Sequence, residues 1–194
     1  MFAAPGSTAM DIAAHGRGPG TVVLPWIATT EPQTLLQYAV ELTQRMSRLI
    51  ALAEQVEQNK QALRQAWPTG TASDGAIEKL RAMLETFQRI TTTVQNLDTQ
   101  MQTVATVLQL VQQAYRSVVG SVDPTVRALL SNIHTRPAAT ALALSATAGL
   151  HGYVQGVRTQ LDQIAFAQIA TLGAALVTIA GELDTLLRTD TPRG

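Results

Sequence analysis

Cysteine is absent from all 194 residues, which excludes disulfides, thiolate catalysis and cysteine-ligated zinc. Lysine occurs only at Lys60 and Lys79, and fourteen basic residues balance fourteen acidic ones to a formal net charge of zero. No global field therefore draws the chain to nucleic acid or to an anionic membrane, and no basic run follows a phosphate backbone. Nucleic acid is not an expected partner. The three histidines, His15, His134 and His151, fall into no His-x-x-x-His or Glu-x-x-His spacing, and no nucleophile elbow occurs. His134 is expected to cap a helix C-terminus. No catalytic, metal-binding or cofactor-binding residue is expected, and the chain reads as a non-enzyme.

A basic n-region followed by an apolar segment is also missing at the N-terminus, where Pro5 and Gly6 interrupt any such run, so export by a standard secretory signal is not expected. Six glycines and prolines fall between Pro5 and Gly20, so residues 1–30 are expected to form a flexible arm. The stretch from Gly16 to Gly20 lacks the third spaced glycine, the preceding strand and the following helix of a phosphate loop. Val22 to Ile27, with Trp26, is the part expected to dock back onto the body.

What is abundant is helical period. Leu35, Ala39, Leu42, Met46, Leu49, Ala53, Val56, Lys60, Leu63 and Trp67 recur at alternating spacings of four and three, a heptad seam. Lys60 is its one charged member, and its stem can lie along apolar surface with the ammonium in water. Thr30 or Glu31 can cap this helix, and Pro32 suits its first turn. The spacing returns in Ala76, Leu80, Met83, Phe87, Ile90, Val94, Leu97, Met101, Val104, Leu108, Val111, Tyr115 and Val118. Residues 31–119 are thus expected to form a long antiparallel hairpin, coiled-coil-like and elongated, whose second arm reaches on the order of 60 Å.

Between the arms stands Trp67-Pro68-Thr69-Gly70. Pro68 stops the first helix, Gly70 can take the positive φ of a reversal, and Ser73 or Asp74 can accept from the free N–H groups of the second. The indole either plugs the closed end of the hairpin or stands at the tip as an anchor for a partner. With these residues the chain resembles the WXG superfamily of type VII (ESX-like) secretion substrates, with arms as long as those of its PPE-type and Esp-type members. Trp67 and Gly70 would be the signature pair, Ala72 and Ala76 the small residues that enter the second helix. The turn here is Trp-x-x-Gly, one residue longer than the family's, and Tyr38, Tyr115 and Tyr153 are not followed four positions on by Asp or Glu. The resemblance implies a non-enzymatic protein exported without a signal peptide, cytoplasmic beforehand and then secreted or in the cell envelope. It also implies pairing with a partner hairpin or self-assembly, with Trp67, Pro68, Gly70 and Tyr115 as candidate contacts. Over residues 25–120 the glutamine-rich first arm (Gln33, Gln37, Gln44, Gln55, Gln58, Gln61, Gln65) is also similar to the minor pilus-tip adhesins of type IV secretion, the alternative reading.

Asp123-Pro124 reads as a helix start, aspartate as N-cap and proline in the first turn. That helix should end before Arg136-Pro137. An alanine-rich stretch at 138–150 and a link at Gly149, Gly152 and Gly156 should follow, then a helix over about 157–187. Residues 120–188 are expected to pack on the hairpin, with 189–194 a tail. Within the last helix, 164–181 is uncharged, with only Gln168, Thr171 and Thr178 polar. The simpler expectation is burial against the hairpin. The alternative is a contact with a membrane or with another copy through Ile164, Ile169, Leu172, Leu176 and Ile179, the run being near the length that spans a bilayer. In that case the chain would be a conditional membrane-inserting or pore-forming protein.

Overall fold

The computed structural model describes residues 2–188, and within them every regular element is helical. Three short helices, α1 (Thr8–Ala13), α2 (Pro19–Val22) and α3 (Leu24–Thr29), precede three long ones, α4 (Pro32–Ala66), α5 (Thr71–Leu130) and α6 (Arg136–Arg188). A 3₁₀ turn, Ile133–Thr135, joins α5 to α6. The expected all-α class is what the structure has. The chain divides into two compact units, Met1–Leu36 with Gln102–Ile164 and Gln37–Met101 with Ala165–Gly194.

The first unit has a true core. Val111, Tyr115 and Val119 lie one turn apart on α5 and meet Leu150, Val154 and Val157 of α6, with Val23 and Ile27 from the N-terminal helices closing the cluster. A second cluster places Ala9, Met10, Ala13 and Ala14 of the α1 region against Val126 of α5 and Ala139 and Ala143 of α6. Alanines at these positions let helix axes approach closely, which explains why an alanine-rich stretch forms packing surface here.

The N-terminal region thus forms three short helices packed on the core, with Val23 and Ile27 docked as expected, where the sequence otherwise suggested a flexible arm. The reason is a polar knot that composition does not reveal. Asp11 accepts from the Ser7 hydroxyl at 2.7 Å and from the Gly20 amide at 3.1 Å. A Cβ on Gly18 would lie 2.6 Å from Asp11 Cα and 2.8 Å from its N. These glycines are thus required for close approach, and their abundance is not a sign of looseness.

Asp123 is the second correction. α5 continues through Asp123 and Pro124 to Leu130 without a break, so no helix starts there. The buried Asp123 carboxylate accepts the Met10 amide at 3.0 Å. Met10 is in the first turn of α1, where N–H groups lack intrahelical partners, so Asp123 caps a helix 113 residues away in sequence. Its other oxygen accepts from Arg127 at 3.2 Å. The carbonyl that the Pro124 ring crowds belongs to Gly120, which has no side chain to add to the strain.

α6 also runs unbroken through Gly149, Gly152 and Gly156, correcting the expected link. Glycine lowers helix propensity by about 1 kcal/mol each, and packing of Leu150, Val154 and Val157 offsets it. At the α5–α6 turn Asn132 Oδ1 accepts the His134 amide at 3.0 Å, so Asn132 is the capping residue and His134 is exposed beside it.

In the second unit the heptad seams are visible as half-buried rows. Leu42, Met46, Leu49, Ala53, Val56, Lys60 and Leu63 on α4 and Leu80, Phe87, Ile90, Val94, Leu97 and Met101 on α5 all belong to them. Lys60 donates to Glu57 at 2.6 Å, and that bond chiefly holds the Glu57 carboxyl below its ordinary pKa. Against α5, the far part of α6 presents Gln168, Leu172, Ala175, Ile179 and Glu182, all half-buried. Glu182 accepts from the Thr86 hydroxyl at 3.1 Å and pairs with Arg89.

Candidate interaction surfaces

Full burial is scarce in the second unit. Among its described residues only Ala39, Ser73 and Thr86 are buried, and two of the three are polar. Open grooves run beside the helix contacts. One of about 390 Å³ lies between Ile90, Val94 and Leu97 of α5 and Leu172, Leu176 and Ile179 of α6, and one of about 540 Å³ lies between α4 and α5.

The turn between α4 and α5 is built as its residues demand. The Trp67 amide closes the last turn of α4 on Leu63 at 2.9 Å, and the Ser73 hydroxyl donates to the Trp67 carbonyl at 2.6 Å. Gly70 takes φ 135°, open only to glycine at low cost. The Asp74 amide returns to the Gly70 carbonyl at 3.0 Å. With its backbone so fixed, the Trp67 side chain is 50% exposed, which is too much for a plug. Pro68 and Gly70 are exposed beside it.

Tyr115 is not part of this tip. It is fully buried in the first core, edge-on to Phe2 with ring centroids 6.1 Å apart. As a candidate partner contact it is withdrawn, because no partner reaches it without unfolding the core. The heptad pattern marked the position correctly as interior.

The apolar run of α6 is the other correction. The simpler expectation placed 164–181 against the hairpin, yet Phe166 is 79% exposed, Ile169 72%, Leu176 64% and Val177 74%. The candidate contacts divide by face. Leu172, Leu176 and Ile179 line the groove against α5, Leu176 at its rim and still largely exposed, Ile164 is half-buried, and Ile169 points to solvent. A single helix pressed on α5 can bury only the stripe that touches it, and the remaining apolar arc has no neighbour. Phe166 and Val177 belong to this face and were legible only as further members of an apolar run. By length and composition α6 is apolar enough to cross a membrane, and none of its most apolar window, with mean hydropathy 1.8, is buried.

No group of three or more metal-ligating side chains occurs among the described residues. Compared with protein-family models, curated proteins and solved structures, the chain matches none.

Proposed function

We propose that this is a non-enzymatic, secretion-associated helical protein, a type VII-like exported substrate that works through helix–helix contacts with a partner hairpin or a further copy. The observation that supports it is the poverty of the second unit's core, with a half-exposed tryptophan at its turn and a large apolar face on α6. Isolated soluble domains rarely leave several neighbouring large apolar side chains in water, and contiguous patches of this kind mark interaction sites. Export proceeds by a signal-independent route from the cytoplasm.

Trp67→Ala tests the reading. An indole inserted into a partner is an anchor whose truncation weakens binding by about 30-fold or more, while removal of a half-exposed ring changes stability by less than about 1 kcal/mol. Calorimetric titration against a candidate partner hairpin should show the first, and thermal melts the second. Unchanged binding with a markedly lower melting temperature would mean that the ring is a structural plug.

One observation favours a second reading. The exposed run on α6 lies in a helix long and apolar enough to cross a bilayer, so conditional insertion into a membrane is the competing use of the same face.

A further inference from the structure

The stripe that α6 lays on α5 in the second unit runs from Gln168 through Leu172, Ala175 and Ile179 to Glu182. Its apolar members are only half-buried. Open grooves of about 490 and 420 Å³ run along its distal end, both lined by Glu85, Arg89 and Thr178. So thin an apolar contact does little to hold the two helices together by itself. The carboxylate at the last stripe position is then the telling residue, because a charge in a helix seam is costly unless it is paired.

Opposite Glu182 stands Thr86, one of the few fully buried side chains of this unit, with Arg89 one turn further along α5. The Thr86 hydroxyl lies 3.1 Å from Glu182 Oε2, and Arg89 pairs with Oε1. Both carboxylate oxygens are thus held by α5. Glu182 is also close to the end of α6 at Arg188, and helix ends are where local opening starts.

Each member of this cluster has somewhere else to go. The Thr86 hydroxyl lies 3.0 Å from the Ala82 carbonyl of its own helix, so its single proton is shared between two acceptors and passes wholly to Ala82 when Glu182 leaves. Glu85, one turn before Arg89 and lining the same grooves, gives the guanidinium a second carboxylate to turn to. The Arg89 side chain is 55% exposed and that of Glu182 29%, so water replaces what each loses. Opening therefore leaves no buried polar group unpaired, the penalty that makes a fully buried pair hard to break.

We infer that Glu182, held by Thr86 and Arg89, is a reversible latch that keeps the distal part of α6 closed on α5. Its release opens α6 from the C-terminal end and bares Leu172, Leu176 and Ile179 together with Ile90, Val94 and Leu97, which share one groove in the closed state. The inference goes beyond the helix-contact reading and does not rest on it, since it concerns how this face opens and not what covers it.

Hydrogen–deuterium exchange of the full chain at high dilution tests the latch. Glu182→Ala should speed exchange of amides 165–181 by about tenfold, while those of 105–126 and 139–157 and the melting temperature stay as in the wild type. Alanine is the better helix former, so faster exchange reports the lost contact and not a weaker helix. Arg89→Glu and Glu182→Arg should each open the segment, and the two together should restore most of the wild-type protection. Added salt should speed the same amides in the wild type more than in Glu182→Ala. Unchanged exchange of 165–181 in Glu182→Ala would overturn the latch, because the apolar stripe would then hold α6 alone. Faster exchange in all three segments with a lower melting temperature would make Glu182 a residue of general stability and overturn it equally. A double variant as open as the single ones would show that the pair is not what closes the strap. The Trp67→Ala titration is independent of each of these outcomes.

Discussion

Tyr115→Ala should lower stability by about 3–5 kcal/mol, because a fully buried aromatic side chain is lost from the middle of the larger core and the cavity is walled by rigid helices. At roughly 2–4 °C per kcal/mol for a chain of this size, the melting temperature should fall by about 10 °C. The phenylalanine variant separates packing from polarity. The Tyr115 hydroxyl is buried without a hydrogen-bond partner, and the nearby Ser7 hydroxyl donates to Asp11. Tyr115→Phe removes an unsatisfied polar group and should be neutral or slightly stabilising. Burial pushes the phenol pKa above its ordinary value, and the Asp11 and Asp123 carboxylates add to the effect. A folded pKa above the unfolded one means that the neutral phenol's contribution is complete below about pH 10 and is lost as pH rises through the folded value. Alkaline unfolding should therefore set in later for Tyr115→Phe than for the wild type. Identical alkaline limbs would show that other groups govern it.

Gly18→Ala has the second largest expected effect. Its backbone is extended, at φ −82° and ψ 179°, so any L residue could adopt it, and the objection is purely steric. A Cβ would stand 2.6 and 2.8 Å from backbone atoms of Asp11, which cannot swing away as a side-chain end could. Overpacking of this kind costs about 1–3 kcal/mol and sometimes more. The cost should appear as loss of the α1–α3 region from the core, read by proteolysis within residues 1–30 beside the thermal melt. Gly149→Ala is the control of opposite sign. It lies inside α6 with nothing within 4 Å of the added carbon, and should stabilise by about 0.5–1 kcal/mol. If Gly18→Ala melts like the wild type and resists protease, the packed N-terminal region is wrong.

Much of this fold was legible as periodicity. The four-three spacing from Leu35 to Leu63 and from Ala76 to Val118 gave both arms of the hairpin, and nearly every seam residue is at least half-buried. Local signals failed where a distant residue intervened. Asp123-Pro124 is a fair helix start in isolation, but the carboxylate is engaged by Met10 and the helix runs on. Glycines at 149, 152 and 156 would break an exposed helix, yet they stand between buried residues of a packed one. The N-terminal glycines looked like looseness because their tight partner, Asp11, is recognised only once the chain has folded. For the candidate contacts, the sequence supplied the apolar run but could not say which arc of it would find α5. Trp67 was ambiguous for the same reason, since plug and anchor share one spacing and differ only in exposure.

On the proposed helix-contact function, the first unit holds the stability of the chain and the second is completed by a helical partner. Hydrogen–deuterium exchange of the dilute wild-type chain, followed peptide by peptide, tests it most directly. Amides of residues 105–126 and 139–157 should exchange slowest, through global unfolding, and those of 165–181 should exchange faster by at least about 100-fold because local opening there exposes little new apolar surface. Raising the chain concentration should slow 165–181 selectively. Uniformly slow exchange along the whole of α6, independent of concentration, would mean that the second unit is complete without a partner.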